Sequence, residues 1–379
     1  MYANDSIKNI NNIEDKIKDA VMGLRARGGG KAFALLSGGV DSSVAALLAM
    51  RAGLDVTGVT MRQSDDDSAA RAAGEFCRAY GIESRVFDLR KEFAERVIEP
   101  FKAAYMRGDT PNPCAMCNPS VKFGLLWERV AERFGGQGFL VVSGHYARTE
   151  RVGEKIALLR GACRSKDQSY FLCMLPQSRV DRLLLPLGEL TKADTREMAR
   201  ALGAHGELLF KIAEKPESME ICFSTDRDYR KELAGGGSEG PILNVAGESV
   251  GTHGGIENYT IGQRKGLGLT SREPLFVIEI RPRDNAIIVA DRSEAMTREV
   301  CARNVNILAM DAYRSGAALR GKIRSQSEPA PCVITRADGE SFSVAFDEAQ
   351  FAPAPGQYLV LYDGERLVAG GCIERRLTA

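Results

Sequence analysis

The sequence predicts an α/β fold: a doubly wound parallel sheet, then a small central domain and a C-terminal β-barrel. Three observations predict it. Between residues 32 and 143, short apolar runs alternate with helix-like stretches, the pattern of a parallel sheet covered by helices on both faces. A glycine-rich turn, Ser37-Gly38-Gly39-Val40-Asp41-Ser42-Ser43, joins the first apolar run to the first helix of that series. From Pro274 onward the pattern changes to short alternating runs punctuated by Asp338-Gly339 and Asp363-Gly364, which are hairpin signals. The expected divisions are an N-terminal helical extension (1–30), a catalytic domain (31–228), a central domain (229–273) and the barrel (274–379).

Each element has a local reason. Ile7, Ile10, Ile13, Ile17, Ala20, Val21 and Leu24 recur at helical spacing, so residues 6–26 form one amphipathic helix. A glycine-rich hinge then leads to a strand over Ala32–Leu36, the turn, and a helix through Met50. Gly53 stops that helix before a strand over Asp55–Met61. Asp65-Asp66-Asp67-Ser68 caps a helix that Gly81 ends after Tyr80. A strand over Ser84–Leu89, a long helix over Lys91–Arg107, a helix over Val121–Phe134 and a strand over Gly138–Ser143 follow, and a capped helix over Lys192–Leu202 comes later. Between the two central helices, Pro111, Pro113 and Pro119 exclude helix and central strand, so residues 108–119 read as a rigid loop. Residues 235–240 read as a flexible linker, and strands are expected at Leu275–Ile280, Ala286–Ala290, Cys332–Thr335, Ser341–Phe346 and Tyr358–Tyr362.

Composition narrows the function. The chain has 379 residues and a net charge of +1, so a nucleic-acid partner must be held by local patches and not by a global field. Candidates are Arg148, Arg151, Arg160, Arg164 and Lys166, then Arg264 and Lys265, then Arg320, Lys322 and Arg324. No apolar run reaches the ~18 residues of a membrane span, and the polar first residues lack a signal-peptide core. No membrane association and a cytoplasmic location are therefore expected. Nine cysteines in such a chain point to reduced, catalytic or metal-bound thiols. Cys114 and Cys117 stand at C-x-x-C spacing; half a structural zinc site is one reading, but no second C-x-x-C exists to complete it. In the turn at Ser37, helix-start N–H groups without partners favour an anion, and Gly38 and Gly39 let the main chain close on a phosphate. The common G-x-x-x-x-G-K-[ST] loop is excluded, because around Gly30-Lys31 the position for its first glycine is Arg25 and the position for its Ser or Thr is Ala32.

SGGVDSS resembles the loop of ATP-pyrophosphatases, in which ATP loses pyrophosphate and AMP is placed on a substrate oxygen. With T-P-N-P-x-x-x-C-N from Thr110, GHYAR from Gly144, KDQSYFL from Lys166, ICF from Ile221, YTIGQRKGLG from Tyr259, and Pro355-Gly356-Gln357 followed by Gly370-Gly371, the chain from about residue 32 onward is similar to the tRNA-specific 2-thiouridylases. The resemblance implies ATP-dependent, Mg2+-assisted replacement of the C2 oxygen of the tRNA wobble uridine by sulfur. It implies ATP contacts at Leu35, Leu36, Ser37, Gly38, Gly39, Val40, Asp41, Ser42, Met61 and Gly144. It places the target base near Asn112, Pro113 and Cys114, and other tRNA contacts at Lys166, Asp167, Gln168, Arg324 and Ser325. It makes Cys222 the persulfide carrier and Cys117 its partner, supplied by a sulfur-relay protein, a cysteine desulfurase or hydrosulfide.

Three departures from the family pattern matter. Cys114 stands where an aspartate is usual, so Cys114, Cys117 and Cys222 are expected, in preference to the persulfide pair, to ligate three irons of a 4Fe–4S cluster whose fourth iron binds hydrosulfide; soft thiolates suit iron–sulfur or zinc. The loop after Met61 is shorter than usual. Ser325 replaces an aromatic, removing a base-stacking surface worth ~1–3 kcal/mol. Cys77, Cys163, Cys173, Cys301, Cys332 and Cys372 are expected in the core or on the surface, and His145 is expected to orient its loop. The rivals are thiolation of another tRNA base, another ATP-pyrophosphatase synthetase, a tRNA-binding protein without catalysis, and a structural zinc protein.

Overall fold

A computed structural model describes residues 2–136, 138–203, 208–214, 222–223 and 237–375. The chain divides into two compact units: Met1–Phe93 with Asn118–Ser169 and Leu175–Met219, and Ala94–Cys117 with Tyr170–Met174 and Glu220–Ala379.

The first unit carries β1 Lys31–Leu35, β2 Asp55–Arg62, β3 Glu83–Asp88, β4 Leu140–Val142, β5 Ala147–Val152, β6 Lys155–Arg160 and β7 Leu183–Leu184. Five of these form a wholly parallel sheet in the order β3-β2-β1-β4-β7, as expected for a doubly wound fold. Alternate side chains of β1 serve opposite faces. Ala32 and Ala34 join Val44, Leu48, Phe76 and Met198 in one core. Phe33 meets Phe134 at 4.7 Å and Phe139 at 4.9 Å on the other. The first helix runs from Tyr2 to Ala26, and its Ile13, Ile17, Val21 and Leu24 join the first of these cores. Lys16 Nζ reaches Asp194 at 2.7 Å, on the helix Lys192–Leu202. β1 and β4 are adjacent, yet the chain leaves β1 toward β2 and returns to β4. The crevice beyond their carboxyl ends is therefore the switch point where such sheets bind ligands. The antiparallel β5–β6 pair was not expected; its turn is Gly153, at φ +61°.

The second unit holds two β assemblies. In the first, β8 Gly240–Leu243, β9 Ser249–His253, β10 Phe276–Arg281 and β11 Ala286–Ala290 form a sheet in the order β10-β11-β8-β9. The strands near Leu275 and Ala286, expected in the barrel, thus pair with each other, and β11 pairs with β8 in this separate sheet. The barrel itself is β12 Met296–Ile307, β13 Ala318–Lys322, β14 Ala330–Ala337, β15 Ser341–Phe351, β16 Tyr358–Asp363 and β17 Arg366–Ile373, closed by β12 pairing with β17. Both Asp-Gly hairpins form, β14 to β15 and β16 to β17. Small residues make room for large ones inside: a Cβ at Gly321 would lie 2.7 Å from Phe346, and one at Gly371 would lie 2.9 Å from Phe342. Tyr170 is fully buried, and its hydroxyl accepts from Tyr358 N at 3.0 Å and lies 3.2 Å from Gln357 Oε1.

Two helical expectations changed. The expected Lys91–Arg107 helix is Arg90–Phe93, a π-helical turn Ala94–Ile98 and the helix Glu99–Met106. Pro100 has no N–H for the carbonyl four residues earlier, so the turn widens there. The expected rigid loop contains the short helix Pro113–Cys117, because Pro113 sits at the first helical position, where an N–H has no partner to lose. Pro119 then widens the chain into the turn Asn118–Leu125 ahead of the helix Leu126–Phe134. Among the described residues no helix is long and apolar enough to cross a membrane.

Replacing Tyr170 by Phe leaves the Tyr358 N–H buried without its acceptor. Tyr170→Phe is expected to lower stability by about 1–3 kcal/mol, measured by urea unfolding, without a change in secondary-structure content.

Candidate active site

The turn after β1 is built from small groups that hold one another. Leu36 N donates to Val59 O at 2.8 Å, which keeps the turn level with the sheet edge. Ser42 Oγ accepts from Ser37 N at 3.2 Å and donates to Gly39 O at 3.0 Å; Ser43 Oγ also donates to Gly39 O at 3.0 Å. Gly38 has φ +73°, and a Cβ there would lie 2.8 Å from Ala72 Cβ. Gly39 caps the helix Val40–Arg51 with no side chain, so the first N–H groups of that helix receive no side-chain cap. Gly144, on the loop after β4, lies flush on the same helix start; a Cβ there would sit 2.8 Å from Asp41 C and 2.9 Å from Ser42 N. Ser37 is exposed, Leu35 and Met61 are half-buried at the ends of β1 and β2, and Val40 is buried. The ten residues expected at this site fall on the ends of neighbouring strands β1, β2 and β4 and on the helix that β1 leads into. The result is a hollow lined by backbone N–H groups, suited to an anion.

Two residues that sequence reasoning did not single out fix Asp41. Lys192 Nζ lies 2.7 Å and 2.6 Å from its two carboxylate oxygens. The Tyr146 hydroxyl lies 2.8 Å from Asp41 Oδ1 and 2.9 Å from Thr195 Oγ1. Lys192 was read only as the start of a helix. Its role was signalled by that start, since Thr191 and Asp194 form a capping box that fixes where the lysine emerges.

His145 orients its loop, as expected. Its Nδ1 lies 2.7 Å from Ser143 Oγ, and its ring stands 5.8 Å from Phe123. Burial, and secondarily the charge of Lys122, push the imidazole down to about 3. The ring is therefore neutral at neutral pH.

The residues expected to touch tRNA have other engagements. Asp167 is buried; its carboxylate accepts from Gly161 N at 2.9 Å and Ser169 N at 3.0 Å and lies 3.3 Å from Arg160 Nε. Gln168 holds the backbone of Tyr146 at both ends, with N donating to Tyr146 O at 2.8 Å and Oε1 accepting from Tyr146 N at 2.9 Å. Lys166 ends a short helical turn and is half-buried. Arg324 Nη2 donates to Ala352 O at 2.7 Å and Ile261 O at 3.2 Å, which joins two segments of the second unit; Ser325 beside it is half-buried. The expected basic patches shrink accordingly. Lys322 is buried beneath the Tyr170 ring, Arg160 is buried with Asp167, and Arg148 Nε donates to Arg160 O at 2.6 Å.

Two of the three candidate thiols share one helical turn in the second unit. Asn112 caps that turn, its Oδ1 accepting from Ala115 N at 3.1 Å. Cys114 is half-buried and Cys117 buried. The segment is tied down by the Pro355-Gly356-Gln357 stretch: Thr110 N donates to Pro355 O at 2.7 Å, and Gln357 Nε2 donates to Thr110 O at 2.9 Å. Gly356, at φ +88°, packs 3.2 Å from Thr110. Cys222 is exposed, and its neighbour Phe223 stacks edge-on against Phe101 at 5.5 Å. Ile221 lies outside the described residues. Among the described residues no three His, Cys, Asp or Glu side chains gather as metal ligands. Four of the other thiols behave as core residues: burial pushes Cys77 up to about 11 and Cys332 up to about 12, and raises Cys173 and Cys372, whereas Cys163 is half-buried and Cys301 exposed. Protonated thiols of that kind are neither nucleophiles nor ligands at neutral pH.

Three family models match in succession: a "tRNA methyl transferase HUP domain" over residues 30–226, a "tRNA methyl transferase PRC-barrel domain" over 232–291 and an "Aminomethyltransferase beta-barrel domain" over 297–373. A "tRNA-specific 2-thiouridylase MnmA" from Clostridioides difficile is 37% identical over 360 residues, covering 90% of this chain and 97% of that protein. The protein of the same name from Carboxydothermus hydrogenoformans is 39% identical over 368 residues, covering 92% and 98%. Among solved structures, "a 4-thiouridine synthetase - RNA complex with bound ATP" is similar at 21% identity over 49% of this chain and 43% of that one, with a TM-score of 0.33, too slight to argue from.

The unfolded imidazole of His145 takes up a proton near pH 6.5 and the folded one only near 3. The stability this gives is complete above about pH 6.5 and is lost as pH falls toward 3. Urea titrations at successive pH values are expected to show wild type losing about 2–4 kcal/mol more than His145→Asn across that window, after a discount for the ring's partial contact with solvent.

Proposed function

The chain belongs to the tRNA-specific 2-thiouridylase family, and from that premise we propose that it acts by adenylating the C2 oxygen of the wobble uridine of tRNA and displacing it with sulfur carried on Cys222. The enzyme is a tRNA-uridine sulfurtransferase that uses ATP. One observation supports the adenylation step: the loop after β1 leads into a helix whose first N–H groups have no side-chain cap, with Gly144 packed directly on that helix start.

The chemistry assigns each part a task. The uridine C2 carbonyl is a poor electrophile, so its oxygen attacks the α-phosphorus of ATP and pyrophosphate leaves. Backbone N–H groups at Gly39–Ser42 receive the phosphate charge. A Mg2+ ion held by the phosphates and Asp41 would neutralise charge on the leaving group. The terminal sulfur of a Cys222 persulfide then attacks C2, and AMP departs with the oxygen. The Cys117 thiolate attacks the Cys222 sulfur, which releases the 2-thiouridine and leaves a Cys117–Cys222 disulfide for a thiol reductant to reopen. The sulfur supply on this route is a relay protein or a desulfurase, whose own persulfide passes its outer sulfur to the Cys222 thiolate; hydrosulfide belongs to the cluster reading, where it enters as sulfide.

A 4Fe–4S cluster on Cys114, Cys117 and Cys222 is the second reading. The replacement of a carboxylate by Cys114 favours it, and the soft donor set is right for iron. As placed, the three thiols do not form a ligand set, and no step here passes through a cluster.

On the persulfide route, Cys222→Ser and Cys117→Ser are expected to form less than about 1% of the wild-type 2-thiouridine while still releasing pyrophosphate when tRNA is added. Cys114→Ser is expected to keep activity within about threefold. Mass spectrometry of digested tRNA and a pyrophosphate assay measure both. Iron and sulfide in anaerobically purified protein, lost together with activity in Cys114→Ser, would transfer the case to the cluster.

A further inference from the structure

The first helix, Tyr2–Ala26, lies ahead of the residues that the first family model matches, 30–226. It is joined to both helices that present charge at the nucleotide loop. Its Ile13, Ile17, Val21 and Leu24 recur every three or four residues and are buried. They share one core with Val44, Leu47 and Leu48 of the helix Val40–Arg51 and with Met198, Ala199 and Leu202 of the helix Lys192–Leu202. The first helix packs directly on both. Polar contacts fix the register of that packing. Lys16 Nζ, half-exposed, meets the largely buried Asp194 Oδ1 at 2.7 Å. Arg25 donates from Nη2 to Arg51 O at 3.3 Å and from Nε to Ala52 O at 3.4 Å, where a helix end leaves carbonyls without intrahelical partners. Arg27, just past the helix, donates to Thr149 Oγ1 at 2.7 Å and to Asp181 O at 3.0 Å.

Asp194 links this packing to the loop. Its Oδ2 accepts from Thr191 N at 2.8 Å, and Thr191 Oγ1 accepts from Asp194 N at 3.1 Å, so the two residues fix the first turn of their helix. Lys192 leaves from that turn and reaches Asp41 at 2.6 Å. Its position therefore depends on a carboxylate whose other oxygen is held by Lys16. Arg25 meanwhile holds the far end of the helix that bears Asp41. Both members of the Lys192–Asp41 pair thus stand on helices that the first helix grips.

We propose that the first helix is a brace that sets the spacing of these two helices, and that Lys16 is a positioning residue for the nucleotide loop, acting through Asp194 and Lys192. The proposal rests on the reading of the Ser37–Ser43 loop as the ATP site. It predicts that a lysine ahead of the family-matched residues changes ATP binding.

The test uses the full chain. ATP affinity without tRNA is measured by calorimetry, tRNA affinity without ATP by filter binding, and stability by urea unfolding. Lys16→Met keeps the aliphatic stem and loses the charge. It is expected to weaken ATP about threefold, the worth of a half-exposed ion pair, and to leave tRNA affinity unchanged. Lys16→Arg keeps the charge and is expected to bind ATP as wild type does. Lys18→Met removes the same charge from the same helix, at an exposed pair with Asp15, and is expected to leave ATP affinity unchanged. In an Asp194→Asn background, Lys16→Met is expected to cost nothing further, which a helix that merely supports the fold would not show. Lys16→Met that unfolds at lower urea yet binds ATP as wild type does would overturn the proposal. Equal losses in Lys16→Met and Lys18→Met would do so too, as would full additivity with Asp194→Asn or an equal loss of ATP and tRNA affinity. Wild type that binds no ATP at all would overturn the reading of the loop itself.

Discussion

Asp41 stands on the first turn of the helix that leaves β1, with its carboxylate held by Lys192 at 2.6 Å and by the Tyr146 hydroxyl at 2.8 Å. The rest of the loop can be free of side chains because this one is held. A phosphate-sized hollow needs bare N–H groups, and bare N–H groups need a chain that approaches closely without Cβ atoms. Gly38 and Gly144 provide that approach, and the seryl hydroxyls of Ser42 and Ser43 turn back on Gly39 O so that none projects into the hollow. The parallel sheet supplies the frame, since β1 and β4 end side by side at the switch point.

The cysteines divide by solvation. Cys77, Cys173, Cys332 and Cys372 have their thiolates suppressed by burial. Desolvation penalises the charged form, and none of the four has a compensating cation strong enough to reverse it. Cys114 and Cys222 keep contact with solvent, and Cys117 is buried on the same helical turn as Cys114. A chain with nine thiols that transfers sulfur must confine exchange to a few of them, and desolvation removes these four, while Cys163 is half-buried and Cys301 exposed.

How much was legible in the sequence follows from the range of the signal. β1, β2 and β4 were readable because a strand buried on both faces is a continuous apolar run, as in Ala32–Leu36. The glycine turn was readable because its geometry excludes side chains. The widened turns at Pro100 and Pro119 were missed because proline was taken only as a breaker, while Pro113 begins a helix. The pairing of β11 with β8, which takes β10 and β11 out of the barrel, was invisible, because strand period carries no information on partners as far apart as Ile287 and Ile242. Asp167, Lys322 and Arg324 were read as solvent-facing because charge suggests a surface. The structure buries the first two and engages the third; Lys322 lies under Tyr170 and Arg324 meets Ile261 and Ala352, partners too distant in sequence to leave a local mark, while Asp167 is held by its near neighbours Arg160, Gly161 and Ser169.

That last point bears on how a chain of net charge +1 can hold a polyanion. Cations occupied by carbonyls and carboxylates inside the fold add little to the field that tRNA meets. Arg160 faces Asp167, Lys322 lies under Tyr170, and Arg324 joins Ile261 to Ala352. The expected patches keep as exposed cations Arg151, Arg164, Arg264, Lys265 and Arg320. Counterion release scales with the number of phosphates neutralised, so few exposed cations mean modest non-specific affinity. Discrimination for the right tRNA then depends more on shape and on contacts to unstacked bases than on attraction to the backbone.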